Sequence, residues 1–302
     1  VRTTAPADES PLKIRPRRSV LFMPGSNARA LEKARSLPAD TVVFDLEDAV
    51  APDAKAGARK QVTETLVRGG YAPREVVVRV NDLNTQWGDD DLVALAPLEF
   101  EGVLLPKADS AEQVREAIDV LDRNGGNRHA LWVMIETPAG VLRASEIAGA
   151  SKRLACMVMG TSDLSKELRV PAEHDRTGLM TPLSWCVTVA RAFGLDILDG
   201  VQLDLEDQEA FRAVCEQGRR LGFDGKTLIH PKQIAAANEI FAPAADELEK
   251  AREILEAWDR ARADGQGITV VHGRLVETLH VEEAKRTLAL ANAIREIERS
   301  GG

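Results

Sequence analysis

LWVMIETPAG, residues 131–140, sets an apolar run directly against a glutamate, a threonine and a proline. The run is continuous rather than alternating, which is the pattern of a parallel strand buried on both faces. Thr137 can cap a helix that has Pro138 at its first position. The stretch therefore reads as a buried strand that ends on a carboxylate, Glu136, and turns at once into a helix.

The same rhythm extends in both directions. Similar runs stand at SVLFMPG (19–25), TVVFDLED (41–48), EVVVRVN (75–81), GVLLPK (102–107), LACMVMG (154–160), DILDGV (196–201) and KTLIHP (226–231), making eight with ALWVMIET (130–137). Helical segments lie between them. SAEQVREAIDVL opens with a capping box, Ser110 and Gln113, and puts Val114, Ile118 and Leu121 on one face. DAKAGARKQVTETLV aligns Ala58, Val62 and Leu66, and EDQEAFRAVCEQGRRLG aligns Phe211, Val214, Cys215 and Leu221 before stopping at Gly222. Eight strands, each followed by a helix, predict a (β/α)8 barrel of the TIM type over 15–242. A flexible tail is expected at 1–14. A C-terminal helical extension, a lid or oligomer arm, is expected at 243–302. A doubly wound sheet is the alternative, but its first turn would carry GxGxxG and reads MPGSNARA instead. DGKT at 224–227 resembles the end of a P-loop, yet the required first glycine would fall on Arg220.

Composition narrows the function. Of 302 residues, 44% are hydrophobic, enough for a large core, and only 4% are aromatic, so Val, Leu, Ile and Ala must fill it. The net charge of −9, with no basic tract beyond KIRPRRS, argues against nucleic acid. Cys156, Cys186 and Cys215 are widely spaced in apolar surroundings and read as small buried hydrophobes of a cytoplasmic protein. No run reaches the ~18 apolar residues of a membrane span.

In such a barrel the chemistry sits at the C-terminal ends of the strands. Those ends carry Asp45, Glu47 and Asp48, then Arg79 and Asn81, Lys107, Glu136, Asp163 and His230. Glu136 and Asp163 fall on adjacent strands. Two hard oxygen ligands suit Mg²⁺, which leaves its remaining positions to water and substrate. The alternative is that each carboxylate caps a helix or pairs with an arginine. Arg79 can hold a substrate carboxylate in bidentate fashion, or form a salt bridge with DLED. A metal beside such an arginine would receive an α-keto acid. His230 precedes Pro231 and either belongs to the polar mouth or is merely a helix-start residue.

Taken together, RSVLFMPGSN (18–27), DLEDAV (45–50), VRVN (78–81), PKA (106–108), IETPAG (135–140), GTSDLS (160–165), DGKTLIHPKQI (224–234) and HGRLVET (272–278) resemble the citrate lyase β-subunit-like and malyl-CoA lyase family of the aldolase/citrate lyase group. The resemblance covers about residues 15 to 298. It implies a Mg²⁺-dependent barrel that cleaves or forms a C–C bond between an acyl-CoA and a 2-keto acid. Glu136 and Asp163 would be the metal ligands, and Arg79 the carboxylate-binding residue. Arg17 or Arg18 would meet CoA phosphates. Glu47 and Asp48 would orient Arg79 or metal-bound water. The resemblance further implies a trimer or hexamer whose C-terminal lid completes a neighbour's site. The family lid carries a catalytic aspartate in a motif like GxMID; here GRLVE places Glu277 at that position. The expected activity is cleavage of malyl-CoA or citramalyl-CoA to acetyl-CoA or propionyl-CoA and glyoxylate or pyruvate. Glu277 would act as its acid/base. Malyl-CoA thioesterase, a CoA-independent aldolase and a non-catalytic assembly subunit are the rival readings.

Overall fold

The computed structural model describes residues 14–171 and 176–300, so the tail expected at 1–14 lies outside the described residues except for its last position. Two compact units are formed, Arg17–Phe241 and Ala242–Ser300.

The first unit is a closed barrel of eight parallel strands in chain order. These are β1 (Ser19–Pro24), β2 (Thr41–Asp45), β3 (Glu75–Arg79), β4 (Gly102–Leu105), β5 (Ala130–Ile135), β6 (Leu154–Met159), β7 (Asp196–Asp199) and β8 (Gly225–Leu228). The helices of this unit are α1 (Ala28–Ala34), α2 (Lys55–Arg68), α3 (Gly88–Leu95), α4 (Ala111–Arg123), α5 (Pro138–Leu142), α6 (Ala144–Ala148), α7 (Thr161–Leu168), α8 (Met180–Phe193), α9 (Gln208–Leu221) and α10 (Ile234–Phe241). Every run read from the sequence as a strand is one.

The continuous apolar runs have a physical reason. Alternate residues face two different cores. Val20, Val43, Val77, Leu104, Trp132, Cys156, Val158 and Leu198 pack together inside the barrel. Their strand neighbours Leu21, Val42, Val78, Val103, Val133, Met157 and Ile197 pack outward under the helices. Neither face meets water, so neither can be polar. The barrel closes where β1 meets β8, pairing Ser19 with Lys226, Val20 with Thr227 and Leu21 with Leu228. At that seam Gly225 lies so close that a Cβ would stand 1.9 Å from the Arg17 carbonyl oxygen.

Local signals set the helix starts. Ser110 and Gln113 form the expected capping box at α4. Thr137 Oγ1 accepts from the Gly140 amide at α5. The segment after Thr137 is not one helix, however. Arg143 leaves helical geometry (φ −102°, ψ 11°) and divides it into α5 and α6. All three cysteines are free and buried. Burial pushes the Cys186 and Cys215 thiols up to about 12, which leaves them unreactive.

The second unit consists of α11 (Ala245–Ala263), the antiparallel strands β9 (Thr269–Val271) and β10 (Arg274–Val276), and α12 (Thr278–Ser300). The hairpin is absent from the sequence reading. Its turn is His272-Gly273, both with positive φ (49° and 74°), the geometry favoured in two-residue hairpin loops. Trp258, Val276 and Val281 form a small core of their own. Among the described residues no helix is long and apolar enough to cross a membrane.

Candidate active site

A cavity of about 360 Å³ opens at the C-terminal ends of the strands. Its walls include Phe22, Asp45, Asp48, Arg79, Met134, Glu136, Gly160, Asp163, Val201 and Thr227. Strand register explains why these residues meet. Asp45 pairs with Arg79 across β2 and β3. Ile135 pairs with Met159 across β5 and β6, so the next residues, Glu136 and Gly160, are neighbours as well.

Arg79 is the hub on one side. Its Nε and Nη2 donate to the two Asp45 oxygens at 2.7 and 2.6 Å. Its Nη1 stands 2.9 Å from Glu47 Oε2 and 3.5 Å from Asp48 Oδ2, and the guanidinium lies 5.0 Å from the Phe22 ring centre. Burial works against this cation, but Asp45 and then Glu47 and Asp48 outweigh it and hold its pKa above the ordinary value. Asp45 also accepts from the amides of Glu47 and Ala49 at 2.9 and 3.1 Å. It therefore shapes the acidic loop and fixes the arginine at the same time.

On the other side, Glu136 is 2% exposed. Its Oε1 accepts from the Lys107 amide at 2.7 Å. Burial, followed by the charge of Glu47, pushes its carboxyl up to about 8, and the Lys107 amide and Arg79 offset only part of this. The Lys107 ammonium donates to Glu47 Oε1. Glu47 is itself raised by burial, with Arg79 and Lys107 opposing. Its Oε2 has no hydrogen-bond partner among the described residues; the Arg79 contact is an ion pair without hydrogen-bond geometry. Gly160 is what lets Glu136 sit where it does, because a Cβ there would stand 2.3 Å from the Glu136 Cβ and 2.5 Å from Oε2. Asp163 lies in the first turn of α7, where the helix dipole favours an anion.

These groups fit a hard divalent cation. Glu136 and Asp163 line one cavity and offer only oxygen donors. Glu136 is a buried carboxyl whose pKa is raised by burial and by the charge of Glu47 beyond what Arg79 and Lys107 offset, so the site accommodates further positive charge. Among the described residues no three His, Cys, Asp or Glu side chains gather as a complete ligand set. A cation here would complete its shell from water and substrate, as Mg²⁺ does.

The other residues named from sequence fall in several places. Arg17 and Arg18 lie at the opposite end of the barrel, just before and at the start of β1. Arg17 pairs with Glu75 at 2.7 Å and Asp196 at 2.6 Å, residues that begin β3 and β7, and lies 4.7 Å from the Trp132 ring centre. Arg18 pairs with Asp40 at 2.8 Å. Both are held in ion pairs away from the cavity, so their role is to tie strand starts together. Neither lines the cavity. Arg79 does not present a free bidentate fork either: Asp45 occupies that edge, leaving Nη1 toward the pocket residues Asp48 and Met134. His230 is a helix-start residue, its Nδ1 accepting from the Lys232 amide at 3.1 Å. Asn81 bonds to Asp91 rather than facing a ligand. Glu277 is exposed in the second unit, immediately before α12, and its amide donates to His280 Nδ1 at 3.1 Å. Lys107 and Gly160 were given no role from sequence, and Asp45 entered only within DLED, the alternative salt-bridge partner of Arg79 that the structure bears out. Asp45 and Lys107 are visible as charges on strand ends. Gly160 follows an apolar run and precedes a helix, the one available signal that a backbone or side chain approaches closely.

A closed parallel barrel with an arginine-braced acidic pocket at its C-terminal mouth has the architecture of the (β/α)8-barrel enzymes. The sequence profile of the HpcH/HpaI aldolase/citrate lyase family matches residues 18–231, and the chain belongs to that family. It is 48% identical over 279 residues to (3S)-malyl-CoA thioesterase of Cereibacter sphaeroides, covering 92% of this chain and 96% of the relative. It is 36% identical over 293 residues to citrate lyase subunit beta of Escherichia coli, covering 94% and 97%. Protein CitE from Mycobacterium tuberculosis, solved in complex with magnesium, acetoacetate and coenzyme A, matches with a TM-score of 0.73 and 30% identity, over 91% of this chain and 97% of that one.

Proposed function

We propose that this protein is a Mg²⁺-dependent enzyme that takes a 3-hydroxyacyl-CoA of the malyl-CoA or citramalyl-CoA type and hydrolyses its thioester. The observation that carries the metal-dependent hydroxy-acid reading is the pairing of Glu136 with Asp163 in one cavity, beside Arg79. The choice of hydrolysis is supported by the 48% identity to a (3S)-malyl-CoA thioesterase over nearly the full length of both chains.

Glu136 and Asp163 would hold the ion. A bound Mg²⁺ supplies Lewis-acid polarisation of the substrate oxygens at the hydroxy-acid end. Arg79 offers its Nη1 to the substrate carboxylate, with Asp45 fixing the opposite edge of the guanidinium. Glu47 and Asp48 keep that guanidinium in place. Phe22, Met134 and Met159 give the cavity apolar walls that limit water near the reacting end. Glu277 of a neighbouring copy of the chain is our candidate acid/base group, taking a proton from the attacking water and returning it to the departing CoA thiolate as the C–S bond breaks. Its extra methylene relative to the lid aspartate of the resembling lyases fits a change of reaction.

C–C cleavage to a keto acid and an acyl-CoA is the second reading. It is favoured by the 36% identity to a citrate lyase subunit and by the CitE complex with acetoacetate and coenzyme A. One assay separates the two. Malyl-CoA and citramalyl-CoA, each stereoisomer alone, are incubated with enzyme and Mg²⁺ while free thiol and keto acid are followed together. Thiol with intact hydroxy acid supports hydrolysis; keto acid without thiol overturns it in favour of the lyase. Neither product from any of these thioesters would sink both readings.

A further inference from the structure

Lys107 makes two separate ties into the acidic site. It follows β4 with a φ of 46°, a left-handed conformation that is unfavourable for a residue with a side chain. In that conformation its amide donates to Glu136 Oε1 at 2.7 Å. Its ammonium reaches Glu47 Oε1. Glu47 belongs to the loop after β2 and Glu136 to the end of β5, so a single residue links two distant strand ends. If only the amide mattered, glycine would adopt this backbone without strain. A lysine is present instead, and its side chain, 36% exposed, remains on Glu47 although water is within reach. From the other side, Arg79 Nη1 stands 2.9 Å from Glu47 Oε2. Glu47 is thus gripped between two cations and does not line the cavity, whereas Glu136 does.

We propose that Lys107 is a positioning residue: its amide fixes Glu136 at the cation site and its ammonium fixes Glu47 behind it, organising the acidic mouth before a cation arrives. The identity of that cation as Mg²⁺ rests on the functional reading above. An ammonium that did no more than add positive charge near the site would repel the ion, and its removal would tighten binding. Positioning predicts the opposite sign, so the direction of the change decides between them.

The test is calorimetric titration of Mg²⁺ into wild type, Lys107→Met, Lys107→Arg and Lys107→Gly, with thermal unfolding of each in EDTA. Lys107→Met weakens Mg²⁺ binding about tenfold or more, the usual scale for losing a group that orients a ligand. Lys107→Arg recovers affinity to within about threefold of wild type, because a cation again reaches Glu47. Lys107→Gly keeps the left-handed amide and sheds the backbone strain, which offsets part of the lost Glu47 ion pair, yet still binds Mg²⁺ more weakly. That variant keeps the question open to experiment if Lys107→Met folds poorly. Met and Gly variants that bind Mg²⁺ as tightly as wild type, or more tightly, overturn the proposal. So does an Arg variant no better than Met. Wild type that fails to bind Mg²⁺ overturns the functional reading itself, a result distinct from unaffected variants of a protein that does bind.

Discussion

Replacing Glu136 by glutamine should make the metal-free protein more stable, and increasingly so as the pH rises. Gln keeps an oxygen for the Lys107 amide, so the local hydrogen bond survives while the ionisable group is lost. In wild type the carboxyl is pushed from 4.5 to about 8, chiefly by burial. The sign follows from proton linkage. Between those values the folded chain holds a proton that the unfolded chain releases, so this group's contribution to stability is fully present at low pH, falls as pH rises, and levels off above about 8. At about 1.4 kcal/mol per unit, the portion lost between about pH 6 and about pH 9 is on the order of 2–3 kcal/mol. For a barrel of this size that corresponds to roughly 5–10 °C in melting temperature. Glutamine removes the slope. The assay is thermal unfolding of both proteins in EDTA across that pH range, repeated with Mg²⁺. The gap between variant and wild type should widen with pH in EDTA. Added Mg²⁺ should raise only the wild type, because only it retains both carboxylates. A gap that stays constant with pH, or a variant that loses stability as pH rises relative to wild type, would refute the claim that a buried, undercompensated carboxylate stands at this position.

Other perturbations have equally definite outcomes. Gly160→Ala puts a methyl 2.3 Å from the Glu136 Cβ; a displacement of roughly 1 Å should lower turnover about 10²-fold and weaken Mg²⁺ binding, measured by steady-state kinetics and calorimetry. Asp45→Ala leaves the Arg79 fork unpaired in a buried setting and should cost about 3–5 kcal/mol of stability, read by denaturant unfolding, with loss of activity. Glu277→Gln should lower thiol release by about 10²-fold or more while leaving Mg²⁺ affinity unchanged, and full turnover would remove it as the acid/base group. Arg18→Met breaks a buried pair with Asp40 and should destabilise the fold by about 3–5 kcal/mol, while KM for the CoA thioester stays at the wild-type value.

The barrel was legible because its two cores impose one rule on every strand. TVVFD and EVVVR must be apolar on both faces, and a continuous apolar run set between helical patterns fits little but a strand of a covered parallel sheet. The short hairpin at 269–276 escaped because its strands have three residues each, too few for an alternation to register. The site was legible as a set of charged strand ends, but partners were not. Nothing in VRVN says that Arg79 spends its fork on Asp45; that follows from the register of β2 against β3. The placement of Arg17 and Arg18 was hidden for a related reason. Adjacency to a strand is visible in sequence, whereas the end of the barrel to which a side chain is bound depends on Glu75, Asp196 and Asp40, which lie elsewhere in the chain. Gly160 looked like punctuation and proved to be the space that Glu136 occupies.

The seam between β1 and β8 carries a kinetic consequence. It joins segments about two hundred residues apart, through three paired positions and a glycine pressed against the Arg17 carbonyl. Bringing such distant segments together is an entropic step that local contacts cannot reward in advance. Phe22 and Thr227, on opposite walls of that seam, both line the cavity. The pocket is therefore finished only when the first and last strands meet, and a nascent chain still lacking β8 has an open sheet edge where the mouth of the cavity will later close.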